Sequence, residues 1–157
     1  MTRWSCGAVF LAIVLSTESA IPPRKDINPA LLYFQAFGAL PELDEAESKL
    51  LTADGRGEVN DDQRSLARRF DAAFKLLHRA RGMKTPCDWG TDIADGPHAF
   101  VPNFIKIRTA ANAAILRARV ALADGKPGQV RDELLAVSAL GRNAARASRI
   151  RSAKPAA

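Results

Sequence analysis

Between Asn60 and Gly82 the apolar residues Leu66, Phe70, Ala73, Phe74 and Leu77 fall at steps of three and four. That spacing gathers them on one face of a helix and leaves the charges of DDQRSLARRFDAAFKLLHRARG on the other. A helix with one apolar face draws its stability from neighbours that cover that face. The same period recurs along the chain, and no segment alternates convincingly as a strand would. The expected fold is all-α: an antiparallel helical bundle or a helical-hairpin, repeat-like array, preceded by an N-terminal signal helix. The abundance of alanine, leucine and arginine favours it. At 157 residues the chain suits one domain. A domain of this size buries roughly two-thirds of its unfolded surface and needs neither disulfide nor metal merely to hold together.

The first twenty residues, MTRWSCGAVFLAIVLSTESA, stand apart. Arg3 is followed by an apolar run from Cys6 to Leu15 and then by small residues. This is the pattern of a secretory signal peptide, and the run is too short to span a bilayer comfortably. Cutting after Ala20 puts Glu18 where a small residue is preferred, so Ser16 and Ser19 are rival cleavage points. The expectation is an exported protein, periplasmic or extracellular; the alternative is a chain anchored to the membrane by this segment. Cleavage removes Cys6 and leaves Cys87 as a lone thiol, whose usual fate is burial as a small hydrophobe.

In the mature chain, 21–27 reads as an extended leader, 28–150 as one helical domain and 151–157 as a disordered tail. In NPALLYFQAFGALP, Asn28 is a suitable N-cap and Pro29 a suitable first helical residue. Leu31, Leu32, Tyr33, Phe34, Phe37 and Leu40 point all round, which predicts a helix buried on every side, with a partner for the Tyr33 hydroxyl. Pro41 is expected to start a second helical piece. Asn60 caps the amphipathic helix and Gly82 ends it. A long helix is expected from about Ala99 to Ala123, burying Phe104, Ile107, Ala110, Ala111, Ala114, Ile115, Ala118, Ala121 and Leu122. After the turn 124–128 a last helix runs from about Gln129 past Gly141, with Val130, Leu134, Val137 and Gly141 on one side.

The stretch CDWGTDIADGPH, residues 87–98, carries the chain's most chemistry per residue. As a metal site it offers Asp88, Asp92, Asp95 and His98. Their spacing lacks the alternation and closing acid of an EF-hand, and Cys87 with His98 supplies only half of a structural zinc set. As a catalytic site it offers Cys87 with His98 or His78, or a pair of aspartates, but no local signature of a thiol enzyme. As a structural clasp it explains more residues. Trp89 is an anchor whose indole N–H can reach a carbonyl, and Cys87 packs beside it. Asp88 and Asp92 can bond loop N–H groups, Gly90 and Gly96 permit unusual backbone, and Asp95 can cap the next helix or form an Asx-turn, with Pro97 able to begin that helix.

The motifs NPALLYFQAF and CDWGTDIADGP, followed by an Arg/Ala/Leu-rich helix and a hairpin, resemble a family of uncharacterised exported bacterial helical proteins. The likeness runs from Asn28 to about Arg142. It implies that Cys87, Asp88, Trp89 and Gly90 recur as a unit, and it carries no catalytic residue across. ALADGKPGQVRDELLAVSAL also resembles the turn of a tetratricopeptide hairpin, with Gly125 at the turn and Val130 where a small residue is expected; only one such unit can be traced.

The formal charge is +6, and if the last helix is continuous Arg131, Arg142, Arg146 and Arg149 lie within about 60° of one another around it. They are candidates for contact with an anionic surface. With few aromatics for stacking and no recognition motif, nucleic acid is not an expected partner, and no cofactor is implied. The leading expectation is a non-enzymatic module that binds a protein of the cell envelope through helix faces. The alternative is a metal-binding protein or hydrolase centred on 87–98.

Overall fold

The computed structural model describes residues 27–53, 57–90 and 103–149, with side chains up to residue 146. Six helices occupy them: α1 (Pro29–Gly38), α2 (Glu45–Thr52), α3 (Asp61–Arg69), α4 (Asp71–Arg81), α5 (Phe104–Ala123) and α6 (Pro127–Arg149). The fold is all-α, with no strand among the described residues. Residues 1–26, and with them the signal segment and most of the leader, lie outside that description, as do 91–102 and 150–157.

The helices begin where polar side chains can satisfy their first N–H groups. Asn28 accepts from Ala30 N, with Pro29 in the first position. Asn60 and Gln63 form a reciprocal capping box at α3, and Asp44 and Glu47 form another at α2. Pro41 therefore does not start the second helix as expected: residues 41–44 are non-helical, and the cap at Asp44 fixes the start at Glu45. Asn103 likewise accepts from Lys106 N, so α5 begins at Phe104 and not near Ala99. The turn into α6 is a Schellman closure. Lys126 N–H reaches Ala121 O at 2.8 Å and Gly125 N–H reaches Leu122 O at 3.0 Å. It requires the positive φ of +70° that Gly125 adopts. Pro127 then opens α6, two residues earlier than expected, and the helix continues through Gly141 to Arg149.

The amphipathic stretch after Asn60 is not one helix. It breaks at Phe70, whose N–H bonds Ala67 O in the tighter i to i−3 manner. The Ala67 carbonyl also accepts from Arg117 Nη1 of α5 at 2.9 Å. A side chain entering the helical ladder is a recognised cause of a kink. The apolar face survives the break: Leu66, Phe70, Ala73, Phe74 and Leu77 are all buried.

α1 packs on α4, α4 on α6 and α6 on α5, while α5 returns to α3; α2 touches both α3 and α5. Tyr33, Phe70, Phe74, Leu77 and Leu140 are the large, fully buried centre. Three expected faces need correction. α1 is covered on one side only, because it lies at the edge against α4, leaving Leu31 54% and Phe34 37% exposed. In α5 the covered residues are Ala110, Ala113, Ala114, Leu116, Ala118 and Ala121, whereas Phe104, Ile115 and Leu122 face outward. Wedged between α3 and α6, this helix turns its small residues inward, where close approach of two neighbours leaves little room. In α6 the covered row is Glu133, Ala136, Leu140 and Ala144, with Val137 half-buried beside it, while Leu134 and Gly141 are exposed.

Candidate functional site

Trp89 is the centre of an aromatic seat between α1 and α6. Its ring stacks on Tyr33 at 5.5 Å between centroids and lies parallel to Phe37 at 6.3 Å. Phe34 meets it edge-on at 5.4 Å. The indole N–H donates to the backbone carbonyl of Asn143 on α6 at 3.0 Å, and the Asn143 side-chain amide donates to the Tyr33 hydroxyl at 2.9 Å. Burial raises the Tyr33 pKa above its ordinary value, with the Asn143 bond opposing it. One asparagine thus gives each buried ring a polar partner, an acceptor for the Trp89 N–H and a donor to the Tyr33 oxygen, while a large apolar area is sealed.

The stretch of loop leading to Trp89 is held by Asn28. Its Oδ1 accepts from Asp88 N–H at 3.0 Å and from Ala30 N at 3.0 Å, while its Nδ2 donates to the Asp88 carbonyl. The residue that caps α1 also grips the loop peptide from both sides. Asp88 turns its carboxylate onto Gly90 N–H at 2.9 Å, and Gly90 adopts φ +66°. Cys87 is half-buried against the core. Burial, and then repulsion from Asp88, push its thiol up to about 11, with Arg146 opposing. A thiol that keeps its proton at neutral pH is a poor nucleophile and a poor metal ligand. Asp92, Asp95, Gly96 and His98 lie outside the described residues. Among the described residues no group of three or more His, Cys, Asp or Glu is placed to hold a metal ion.

A second constellation was not anticipated from the sequence. Glu133 is 1% exposed. Its Oε1 accepts from Arg117 Nη2 at 2.9 Å and its Oε2 lies 3.1 Å from His78 Nε2. Arg117 also bonds Asp71 and Ala67 O, and its guanidinium sits 4.7 Å over the Phe74 ring. Burial by itself would lower the Arg117 pKa, but the hydrogen bonds to Glu133 and Asp71 outweigh it and hold the group above its usual value. Arg117 Nε is buried without a partner. The cluster ties α3, α4, α5 and α6 together beside an open cleft lined by His78, Arg81, Gln129 and Asp132. It sets an imidazole and a buried carboxylate within hydrogen-bond distance at the edge of that cleft. The readable signal is the register of Glu133, which falls in line with Ala136, Leu140 and Ala144 on the covered side.

α6 is continuous, so the four arginines Arg131, Arg142, Arg146 and Arg149 belong to one helix. Arg131 is exposed and lies 3.6 Å from Asp132. Arg142 and Arg146 are exposed, and Arg149 is the last residue of α6, its side chain outside the described residues. No helix among the described residues is long and apolar enough to cross a membrane. Comparison with family models, with curated proteins and with solved structures finds no match to this chain.

Proposed function

We propose that this chain is a non-enzymatic helical interaction module, exported by residues 1–20, that docks a protein partner of the cell envelope along the outer face of α5. The observation that carries this reading is the exposure of large apolar residues on that helix: Phe104 56%, Ile105 78%, Ile115 54% and Leu122 66%. Phe104, Ile115 and Leu122 lie within about 20° of one another around the helix axis and extend over roughly 27 Å. Scattered single apolar residues on a surface are ordinary, whereas an aligned row this long is the mark of a face that meets another molecule. Arg108 and Arg119 flank the row, which favours an acidic partner helix. The kinship with exported bacterial helical proteins carried by NPALLYFQAF and CDWGTDIADGP, and the tetratricopeptide-like α5–α6 hairpin, belong to the same proposal.

The test is a photo-crosslinking residue placed in turn at Ile115, at Leu122 and at the exposed Lys75 of α4, in the native cell. The expected result is a discrete adduct from the two α5 positions and none from Lys75, lost when residues 1–20 are deleted. Equal yields at all three positions would sink the docking face, and adducts that survive the deletion would sink export.

A further inference from the structure

Arg142 and Arg146 do more than mark the outside of α6. They line a cleft of about 320 Å³ closed on its other sides by the end of α4, the segment Met83 to Cys87 and Pro29 at the start of α1. That volume falls at the lower end of small-molecule sites, roughly 300–1,000 Å³. Arg81 and Lys84 line it too, and no carboxylate does. Arg81 shares its charge with Asp132 at 3.3 Å. Lys84, Arg142 and Arg146 pair with no carboxylate among the described residues. The positive end of α1 adds to this field and the negative end of α4 opposes it, so the side chains set the sign. Cations that face one concavity repel each other, and an anion that accepts from them removes the repulsion.

We propose that this cleft binds a phosphate group. A single carboxylate would leave two of the three unpaired cations uncompensated, whereas a phosphate carries up to two charges and offers several acceptor oxygens. Two guanidinium forks and one ammonium suit that acceptor geometry. The site is separate from the α5 face, so either can fail without the other. The phosphate can belong to a free phosphorylated compound or to the headgroup of an anionic lipid.

The experiment uses the full chain and two probes, inorganic pyrophosphate in solution and vesicles containing phosphatidic acid, whose monoester headgroup carries up to two charges, set against vesicles of phosphatidylcholine. Binding is read by calorimetry and by cosedimentation. Location is read by mass spectrometry, as protection of Cys87 from a maleimide in an excess that labels this slow thiol in the ligand-free protein, because Cys87 lines the cleft. The double variant Arg142→Gln, Arg146→Gln is compared with Arg131→Gln, which lies on the same helix outside the cleft; circular dichroism checks that both are folded. The expected result is binding of at least one probe with Cys87 protected. It weakens by about tenfold or more in the double variant, the scale of one lost charged hydrogen bond, and is unchanged in Arg131→Gln. Pyrophosphate binding assigns a free compound; selective vesicle binding alone assigns a headgroup. The proposal is overturned if neither probe binds, if Cys87 stays equally reactive, or if Arg131→Gln weakens binding as much as the double variant.

Discussion

α6 is fastened at two points roughly 15 Å apart along its length, and the fastenings have opposite chemistry. At Asn143 it meets the aromatic seat of Trp89, where apolar area does the holding and two hydrogen bonds merely settle the polar edges. At Glu133 it meets Arg117, where two charges have left water for each other, with side-chain exposures of 2% and 11%. The first contact stabilises by what it removes from water. The second gains Coulomb energy but loses much of it to desolvation, so its net worth is small while its loss from one side is severe. What it contributes is position: a carboxylate that must find one guanidinium fixes the rotation of α6 against α5, which an alanine-lined interface leaves loosely specified.

The largest expected effect is on the aromatic side. Trp89→Ala is expected to destabilise by about 3–5 kcal/mol, read from urea denaturation, because it opens a cavity among Tyr33, Phe34 and Phe37. A loss within the range of an ordinary surface change would break the comparison at its stronger end. Glu133→Ala comes next, at about 2 kcal/mol, since it takes the acceptor from Arg117 Nη2 in the core and leaves the guanidinium only the half-exposed Asp71 as a charge partner. Replacing both members, Arg117→Met with Glu133→Leu, is expected to bring stability back to within about 1 kcal/mol of the starting chain. If the double change costs the sum of the single ones, the pair is a net stabiliser and the contrast between the two fastenings collapses.

The smallest effect sharpens the aromatic side further. The Cys87 thiol sits beside the seat with its pKa raised from 9.0 to about 11, by burial first and by Asp88 second. Its stabilising contribution is full below pH 9. It is lost as pH climbs toward 11, because the unfolded chain gives up this proton first. Equilibrium unfolding followed from pH 8 to 11 should show that decline, and Cys87→Ala should make it shallower, leaving the part due to Tyr33. A profile identical in the two proteins would mean the thiol is open to water.

Much of this is readable in the sequence, for physical reasons that also explain the misses. Asn28, Asn60 and Gly82 announce helix ends through local chemistry, and local chemistry survives any tertiary arrangement. The need of Trp89 and Tyr33 for polar partners follows from their residue types; that both are met by Asn143 does not. The phase of α5 defeats a reading in which bulky residues mark the covered side. In an alanine-rich helix with two close neighbours, the small residues mark it. Arg117 and Glu133 escape notice for a related cause. Charges read as surface unless their register is followed into the covered row, and a break at Phe70 made by an arginine from α5 has no trace in the segment that breaks. The second half of the loop, with Asp92, Asp95, Gly96 and His98, lies outside the described residues and keeps its open readings.

The bond between Asn143 and Tyr33 spans 110 residues of chain, and that of Trp89 to Asn143 spans 54. Arg117 and Glu133 are only 16 apart. Contacts between distant segments carry the greater cost of closing a loop and form late. A chain emerging from its amino end presents α1, with its apolar side uncovered, long before the carbonyl that completes the aromatic seat exists. The α5–α6 hairpin can close on itself as soon as it is made. Biogenesis is therefore asymmetric: α4 can cover α1 as soon as it is made, whereas the aromatic seat waits for the last helix to supply the carbonyl that accepts from Trp89.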